Sequence, residues 1–425
     1  MGQVAVSFWP KFLSFAKSLL RILHVIPSVA AVRGGPSQGV LEMVPALCRW
    51  GAQAEIVTTN DNGPGLLDVP CGERIAWQGA PTWFFRRFSP PVRSLREFAV
   101  SFDLTRWLRR HVQDYDLIHV HALFSYSCAA AMQISRKARV PFVNRPSGLL
   151  CRWSLQQSRA RKKLFLALFD RANLNASAAI EYTAEQERNE AAVLGLRPPA
   201  FVLPYGLHIP QEVPNARESL RRQLNVASDE PIILFLSRLH PKKNAHDLLA
   251  ALQRISNRAF TLIIAGSGST EYESRLKSIA SSGSLAGRVR FVGFAQDEYK
   301  QLLLQGSDLF ALPSHSESFG IAALEAIAAG IPVLLTPEVP LASLVEKFRL
   351  GWVSQNNPEA ICKSVIQMLD GLADSETRLS RRARARRLVL QNYTWEQIAK
   401  RLLDVYRAIL AGEPPPSFEL AKAQI

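Results

Sequence analysis

The sequence predicts an α/β protein of two Rossmann-like domains facing each other across a cleft. Three observations predict it. Short apolar runs alternate with helical stretches over residues 21–204, the alternation breaks at 205–231, and it restarts at 232. Parallel strands need crossover connections, and helices supply them while covering both faces of the sheet.

The elements follow in order. "RILHVIP" (21–27) has the continuous apolar character of a buried strand, and "GGPSQGVLEMVPALCRWG" (34–51) is a glycine loop opening a helix. "AEIVTT" (54–59), "DLIHVHA" (116–122), "PFVNR" (141–145), "AIEYTA" (179–184) and "AFVLP" (200–204) continue the strand series. Helical patterns such as "SYSCAAAMQISRKA" and "RARKKLFLALFDRANL" lie between them. Residues 205–231 carry three prolines and begin without an apolar stripe, which marks a domain boundary. "IILFLSRL" (232–239), "FTLIIAG" (260–266), "RVRFVGF" (288–294), "DLFALPS" (308–314) and "IPVLLT" (331–336) form the second series. "NYTWEQIAKRLLDVYRAIL" is an amphipathic helix before a proline-rich tail. The resulting division is an extension at 1–19, domains at 20–205 and 206–395, and a final helix and tail at 396–425.

Composition narrows the function. With 48% hydrophobic and 20% charged residues over 425 positions, the chain is globular rather than disordered. Five scattered cysteines lack metal-ligand spacing and fit reduced thiols of a cytoplasmic protein. Residues 1–200 hold 25 Lys and Arg against 14 Asp and Glu, whereas 201–425 hold 26 against 22. That basic first half points to a polyanionic partner: a phosphate-rich substrate, an anionic membrane surface or nucleic acid. No apolar run reaches the roughly 18 residues of a membrane span. "FWPKFLSFAKSLL" puts Trp9, Phe12, Leu13, Ala16 and Leu20 on one helical face, as an interfacial membrane helix does and as a helix packed on its own domain also does. "WFFRRFSPPVRSLREF" (83–98) and "RARKK" (159–163) fit either a membrane-docking surface or a solvated basic face.

Candidate chemistry gathers at strand ends, where open parallel sheets bind ligands. In "SRLHPKKN", Arg238 and Lys243 suit a diphosphate, and equally a solvated loop. Gly34 and Gly35 open a helix, where backbone N–H groups approach anions, although a simple tight turn has the same sequence. His119 and His121 share one side of a strand, with no third ligand at metal spacing. In "SESFGIAALEAIAAG" (316–330), Glu317 precedes a helix and Glu325 lies in its second turn. The amides around Phe319, Gly320 and Ile321 at the helix N-terminus suit phosphate oxygens. Glu325 can accept hydrogen bonds from a sugar diol, or sit as an ordinary surface glutamate.

Together these segments resemble the retaining GT-B glycosyltransferases of family 4, the glycogen-synthase-like group. The E-x7-E element "ESFGIAALE" carries the resemblance most strongly. "SRLHPKKN" is similar to the family's R-L-x3-K element, and "IIAGSG", "RVRFVGF", "GGPSQGVLEMVPAL" and "DYDLIHVHALF" match in order. "RPSGLLCRWSLQQSRARKKL" is similar to members that build bacterial surface polysaccharides. The resemblance spans about residues 20–410 and implies a UDP- or GDP-sugar donor, a glycan or lipid-linked acceptor and no metal or other cofactor. It implies Glu317 and His121 at the donor sugar and Glu325 on the ribose. It implies Arg238, Lys243, Gly34 and Gly35 at the diphosphate, with the amides of Phe319, Gly320 and Ile321. Retention is expected by front-face attack assisted by the leaving diphosphate. Four positions depart from the family pattern: Ser147, Tyr205, His208 and Asn244. A GT-B nucleotide-sugar epimerase is the alternative enzyme, against which the E-x7-E and R-x4-K elements argue. A basic nucleic-acid-binding protein is the non-enzyme alternative, and no recognised module for it is visible. The expected location is cytoplasmic, peripheral at the inner face of the membrane.

Overall fold

The computed structural model describes residues 19–92, 96–372 and 374–418. The interfacial helix expected near the N-terminus lies outside the described residues. Two sheets form the frame. The first contains β1 (Arg21–Ser28), β2 (Gln53–Thr59), β3 (Arg74–Trp77), β4 (Ala80–Phe85), β5 (Leu117–His121), β6 (Phe142–Arg145), β7 (Ala179–Tyr182) and β8 (Ala200–Val202). Their order is β8-β7-β6-β5-β1-β2-β4-β3, parallel except for the β3–β4 hairpin. The second contains β9 (Ile232–Leu236), β10 (Thr261–Ala265), β11 (Val289–Gly293), β12 (Leu309–Leu312), β13 (Val333–Leu335) and β14 (Gly351–Val353). Its order is β11-β10-β9-β12-β13-β14, parallel throughout. In each sheet the order runs outward in both directions from a central first strand, so adjacent loops diverge and leave a crevice at the carboxyl ends.

Central strands are buried on both faces, as β5, β9 and β10 show, and this is why they appear as continuous apolar runs. Helix Ala216–Leu224 is fastened to the second sheet by Arg221, whose guanidinium lies 2.6 Å from Asp308; that carboxylate also accepts the Ile232 amide at 2.8 Å. The last helix, Trp395–Leu410, returns to the first domain. Trp395 donates its indole N–H to Glu42 on helix Gly35–Arg49, and the Tyr406 hydroxyl meets His119 Nδ1 at 2.7 Å. Trp395 and Tyr406 are completely buried, so this helix fixes the two domains to each other through apolar burial as well as hydrogen bonds.

Part of the aromatic–basic segment 83–98 is structural, and its residues 93–95 lie outside the described ones. Trp83, Phe84 and Phe85 belong to β4, and the two phenylalanines are buried. Arg87 is buried too, bound to the Asp61 carboxylate and to the carbonyls of Gly63 and Gly65 at 3.0 Å each. A buried guanidinium must be paired, and this one ties the strand end to a two-stranded ribbon, Asp61–Asn62 with Gly65–Leu66, rather than facing solvent. Arg86 and Phe88 remain exposed.

Candidate active site between the two sheets

The second domain supplies the charged side of the crevice. After β9 the chain turns through Pro241–Lys243 and enters helix Ala245–Leu252 at Asn244, whose φ is +60°. That left-handed conformation is where glycine is the usual residue, and asparagine is among the few others that adopt it readily. Asn244 is buried, and its side-chain amide bonds Asp247 at 3.1 Å and Asn356 at 2.7 Å. The departure at this position therefore preserves the turn. Lys243 Nζ donates to Oε1 of Glu317, which also accepts Ser314 Oγ at 2.9 Å. Glu317 is 8% exposed, so the ion pair answers how a carboxylate is tolerated in this apolar stretch. Arg238 stands exposed nearby, with no carboxylate within 4.0 Å among the described residues.

Gly320, at φ +96°, caps helix Ile321–Ala329. The first amides of a helix have no intrahelical acceptor. The Phe319 ring is buried against Tyr205 and Tyr393, at centroid distances of 5.9 and 6.2 Å, so this residue offers its backbone rather than its side chain. Glu325 is held by Lys300 at 2.8 Å, a partner that the spacing of the motif does not reveal.

The first domain closes the crevice with its glycine loop. Gly34 has φ +81° and caps helix Gly35–Arg49. A methyl group at Gly34 would lie 3.9 Å from Arg238 Nη2, and one at Gly35 would lie 2.8 Å from Ile321 Cδ1. Both glycines thus face the cationic and helix-terminal groups of the other domain. Deeper in the seam, Thr183 Oγ1 donates to the Ser318 carbonyl at 2.6 Å, and Gly148 leaves room for Ser318. Ser147 Oγ lies 3.2 Å from the Tyr205 hydroxyl, and the Arg145 guanidinium covers the Tyr205 ring at 4.0 Å. His208 is exposed.

His121 sits at the carboxyl end of β5, only 2% exposed, with Nε2 at 2.9 Å from His24 Nδ1. His24, His119 and His121 form a stack above Arg145 and Glu181, which lie 2.9 Å apart. Burial, and next the neighbouring histidines and Arg145, hold His24 and His121 well below the usual imidazole range. Burial lowers His119 as well, although Glu181 works in the opposite direction. His121 is therefore a neutral imidazole at neutral pH. The three histidines bring ligand-type nitrogens within 4.8 Å of one another. Two of these nitrogens, His24 Nδ1 and His121 Nε2, already share a hydrogen bond at 2.9 Å. His246, Asp247 and His315 form a second such group, half-exposed. It adjoins the Lys242–Lys243 turn, where the His315 amide bonds the Lys242 carbonyl at 2.8 Å, and His315 Nδ1 lies 2.9 Å from the Asn356 side-chain amide.

Two facing parallel-sheet domains with an anion-suited seam form the GT-B architecture. Comparison with known proteins agrees. Residues 34–206 match the model for a glycosyl transferase 4-like domain, and residues 216–386 match that for glycosyl transferases group 1. A D-inositol 3-phosphate glycosyltransferase of Nocardia farcinica is 29% identical, over 89% of this chain and 85% of its own. An uncharacterized glycosyltransferase of Methanocaldococcus jannaschii is 32% identical over 44% of this chain, a match spanning just under half (48%) of that relative. Among solved structures, Anabaena HepE in complex with UDP and glucose superposes with a TM-score of 0.71 at 20% identity, covering 92% of this chain and 100% of HepE. The chain belongs to the GT-B glycosyltransferases of the GT4-like type.

Proposed function

We propose that this glycosyltransferase moves a sugar, with retention of configuration, from a UDP- or GDP-linked donor to a glycan or lipid-linked acceptor in cell-surface polysaccharide synthesis. The observation that carries the reading is the seam in which Gly34 and Gly35 face Arg238 and Ile321. A diphosphate there meets cations from one domain and backbone amides from both. The HepE complex with UDP and glucose supports a sugar donor of this class, and the relatives named D-inositol 3-phosphate glycosyltransferase support sugar transfer.

In this reading Arg238 and Lys243 stabilise the charge that develops on the departing diphosphate, so no divalent ion is required. Lys243 exchanges part of its contact with Glu317 for phosphate, and Glu317 turns toward the reacting end of the sugar. Glu325, held by Lys300, accepts the ribose hydroxyls. Neutral His121 lies at the sugar side and exchanges hydrogen bonds without adding charge. The acceptor enters over the first domain and attacks from the face the diphosphate leaves.

Docking at an anionic membrane surface rests on the second basic segment, where exposed Arg159, Arg161 and Lys163 accompany exposed Leu164, Leu168 and Phe169. Thermal-shift measurements with UDP, GDP and RNA test the class of ligand. Stabilisation by one nucleoside diphosphate is expected; stabilisation by RNA alone contradicts the proposal.

A further inference from the structure

The crevice holds more positive charge than a donor diphosphate uses. Lys242 and Lys243 are consecutive, yet their ammonium groups diverge. Lys243 turns to Glu317, whereas Lys242 Nζ lies 4.9 Å from the ring centroid of Trp153 in the first domain. The residue after that tryptophan receives a second ammonium: Lys162 Nζ donates to the Ser154 carbonyl at 2.7 Å and to Ser154 Oγ at 2.9 Å. Cations from opposite domains thus flank one short helix, Arg152–Gln156, at its consecutive residues Trp153 and Ser154. Among the described residues, neither has a carboxylate within 4.0 Å. Both are half-buried. Burial lowers the pKa of each, and Lys242 lowers that of Lys162 further; Lys242 also feels Lys243 and Arg238, with Glu317 as partial relief.

Like charges drawn together and partly desolvated are unfavourable unless an anion joins them. The position indicates which anion. Lys162 Nζ lies 5.3 Å from the Phe124 ring, in the loop that follows β5 and His121, on the acceptor side of the reacting end. Resting on the donor-site reading above, we propose that Lys162 and Lys242, against the Trp153 face, bind a phosphate or diphosphate carried by the acceptor. Two sources share this chemistry: a lipid-linked diphosphate and a free phosphorylated sugar. Exposed Leu164, Leu168 and Phe169 continue along the chain segment that bears Lys162, and offer a lipid chain an apolar path out of the crevice.

The test uses the full chain saturated with the nucleoside diphosphate that binds it, so that Arg238 and Lys243 are occupied. Pyrophosphate, glucose 1-phosphate and farnesyl diphosphate are then titrated by calorimetry. The proposal predicts that pyrophosphate still binds. Lys162→Gln and Lys242→Gln should each weaken it at least tenfold, while nucleotide affinity changes less than twofold in Lys162→Gln. Lys162→Arg keeps the charge and should bind within about threefold of the parent. Tighter binding of farnesyl diphosphate than of pyrophosphate assigns the lipid source, and tighter binding of glucose 1-phosphate assigns the free sugar phosphate. Absence of pyrophosphate binding to the nucleotide-saturated protein, or equal binding by parent and both Gln variants, overturns the proposal. If no nucleotide binds, the donor reading fails by itself, and the same variants titrated with pyrophosphate in nucleotide-free protein decide the lysine pair.

Discussion

Replacing Lys243 with methionine separates the structural role of the Lys243–Glu317 pair from its role in binding. The substitution keeps much of the side-chain volume and leaves Glu317 buried without its cation. Breaking a fully buried pair by removing one partner costs about 3–5 kcal/mol. Here the side chains are 17% and 7% accessible, and Ser314 Oγ still donates at 2.9 Å, so the expected loss falls to about 2–3 kcal/mol. Urea unfolding of Lys243→Met, Glu317→Gln and the double variant measures it. The double variant should recover most of the loss, giving a coupling energy of about 2 kcal/mol. Nucleotide affinity should follow a different pattern. Lys243→Met should weaken nucleoside diphosphate binding by roughly 10- to 100-fold, the effect of losing a charged hydrogen bond of about 1.5–3 kcal/mol. Glu317→Gln frees Lys243, so it should bind the nucleotide at least as tightly while transferring sugar far more slowly. A coupling energy below about 0.5 kcal/mol, or parallel losses of nucleotide affinity in both single variants, would refute the reasoning.

Three further outcomes follow from the structure. Asp170 is buried and accepts the Phe124 amide at 3.1 Å, and burial pushes its pKa up to about 7. A raised folded-state pKa gives stability that is present at low pH and lost as pH rises through about 7. Asp170→Asn should therefore gain about 2 kcal/mol relative to the parent between pH 5.5 and pH 8 in urea unfolding, and no gain contradicts the assignment. The buried histidines act with the opposite sign: their folded-state pKa values are depressed, so their contribution is full above the unfolded pKa of 6.5 and falls on acidification below it. His24→Gln should flatten that acid-side loss by up to one proton, or about 1.4 kcal/mol per pH unit, and an unchanged slope contradicts the neutral stack. Asn244→Gly and Asn244→Ala both lose the side-chain hydrogen bonds to Asp247 and Asn356, and Asn244→Ala should be less stable than Asn244→Gly by a further amount of about 1–2 kcal/mol, because alanine resists φ +60°. Equal stability of these two variants in thermal unfolding would contradict that account.

The rhythm of the fold was legible because central parallel strands are apolar on both faces, and eleven such runs lie where strands form. Three strands of the two main sheets escaped, as did the short ribbon of Asp61–Asn62 and Gly65–Leu66. Arg74–Trp77 and Ala80–Phe85 form an edge hairpin whose aromatic residues run into Arg86 and Arg87, and that juxtaposition resembles an exposed basic patch until Asp61 is found beside Arg87. Gly351–Val353 is three residues long and opens on a glycine, which the closeness of the Val333 backbone demands and which local pattern does not announce. At the site, the segments that bear the E-x7-E and R-x4-K spacings lie together at the crevice, since loops at adjacent strand ends are neighbours in a doubly wound sheet. Their partners were not legible. Lys300 for Glu325, Glu181 for Arg145 and Tyr406 for His119 are separated by 25, 36 and 287 positions in the chain, and only the folded crossovers join them. The left-handed turn at Asn244 was visible as a departure from glycine, but its harmlessness depended on a backbone angle.

The most direct test of the central claim is a donor-hydrolysis screen over UDP- and GDP-sugars, in the presence of EDTA, with Arg238→Ala and Glu317→Ala as controls. The account predicts release of sugar from one nucleotide sugar without added metal. It also predicts a fall in kcat/KM of at least 100-fold in each variant, about 2.7 kcal/mol of lost transition-state stabilisation. Turnover that is equal in parent and variants, or that vanishes with EDTA and returns with a divalent ion, would contradict it.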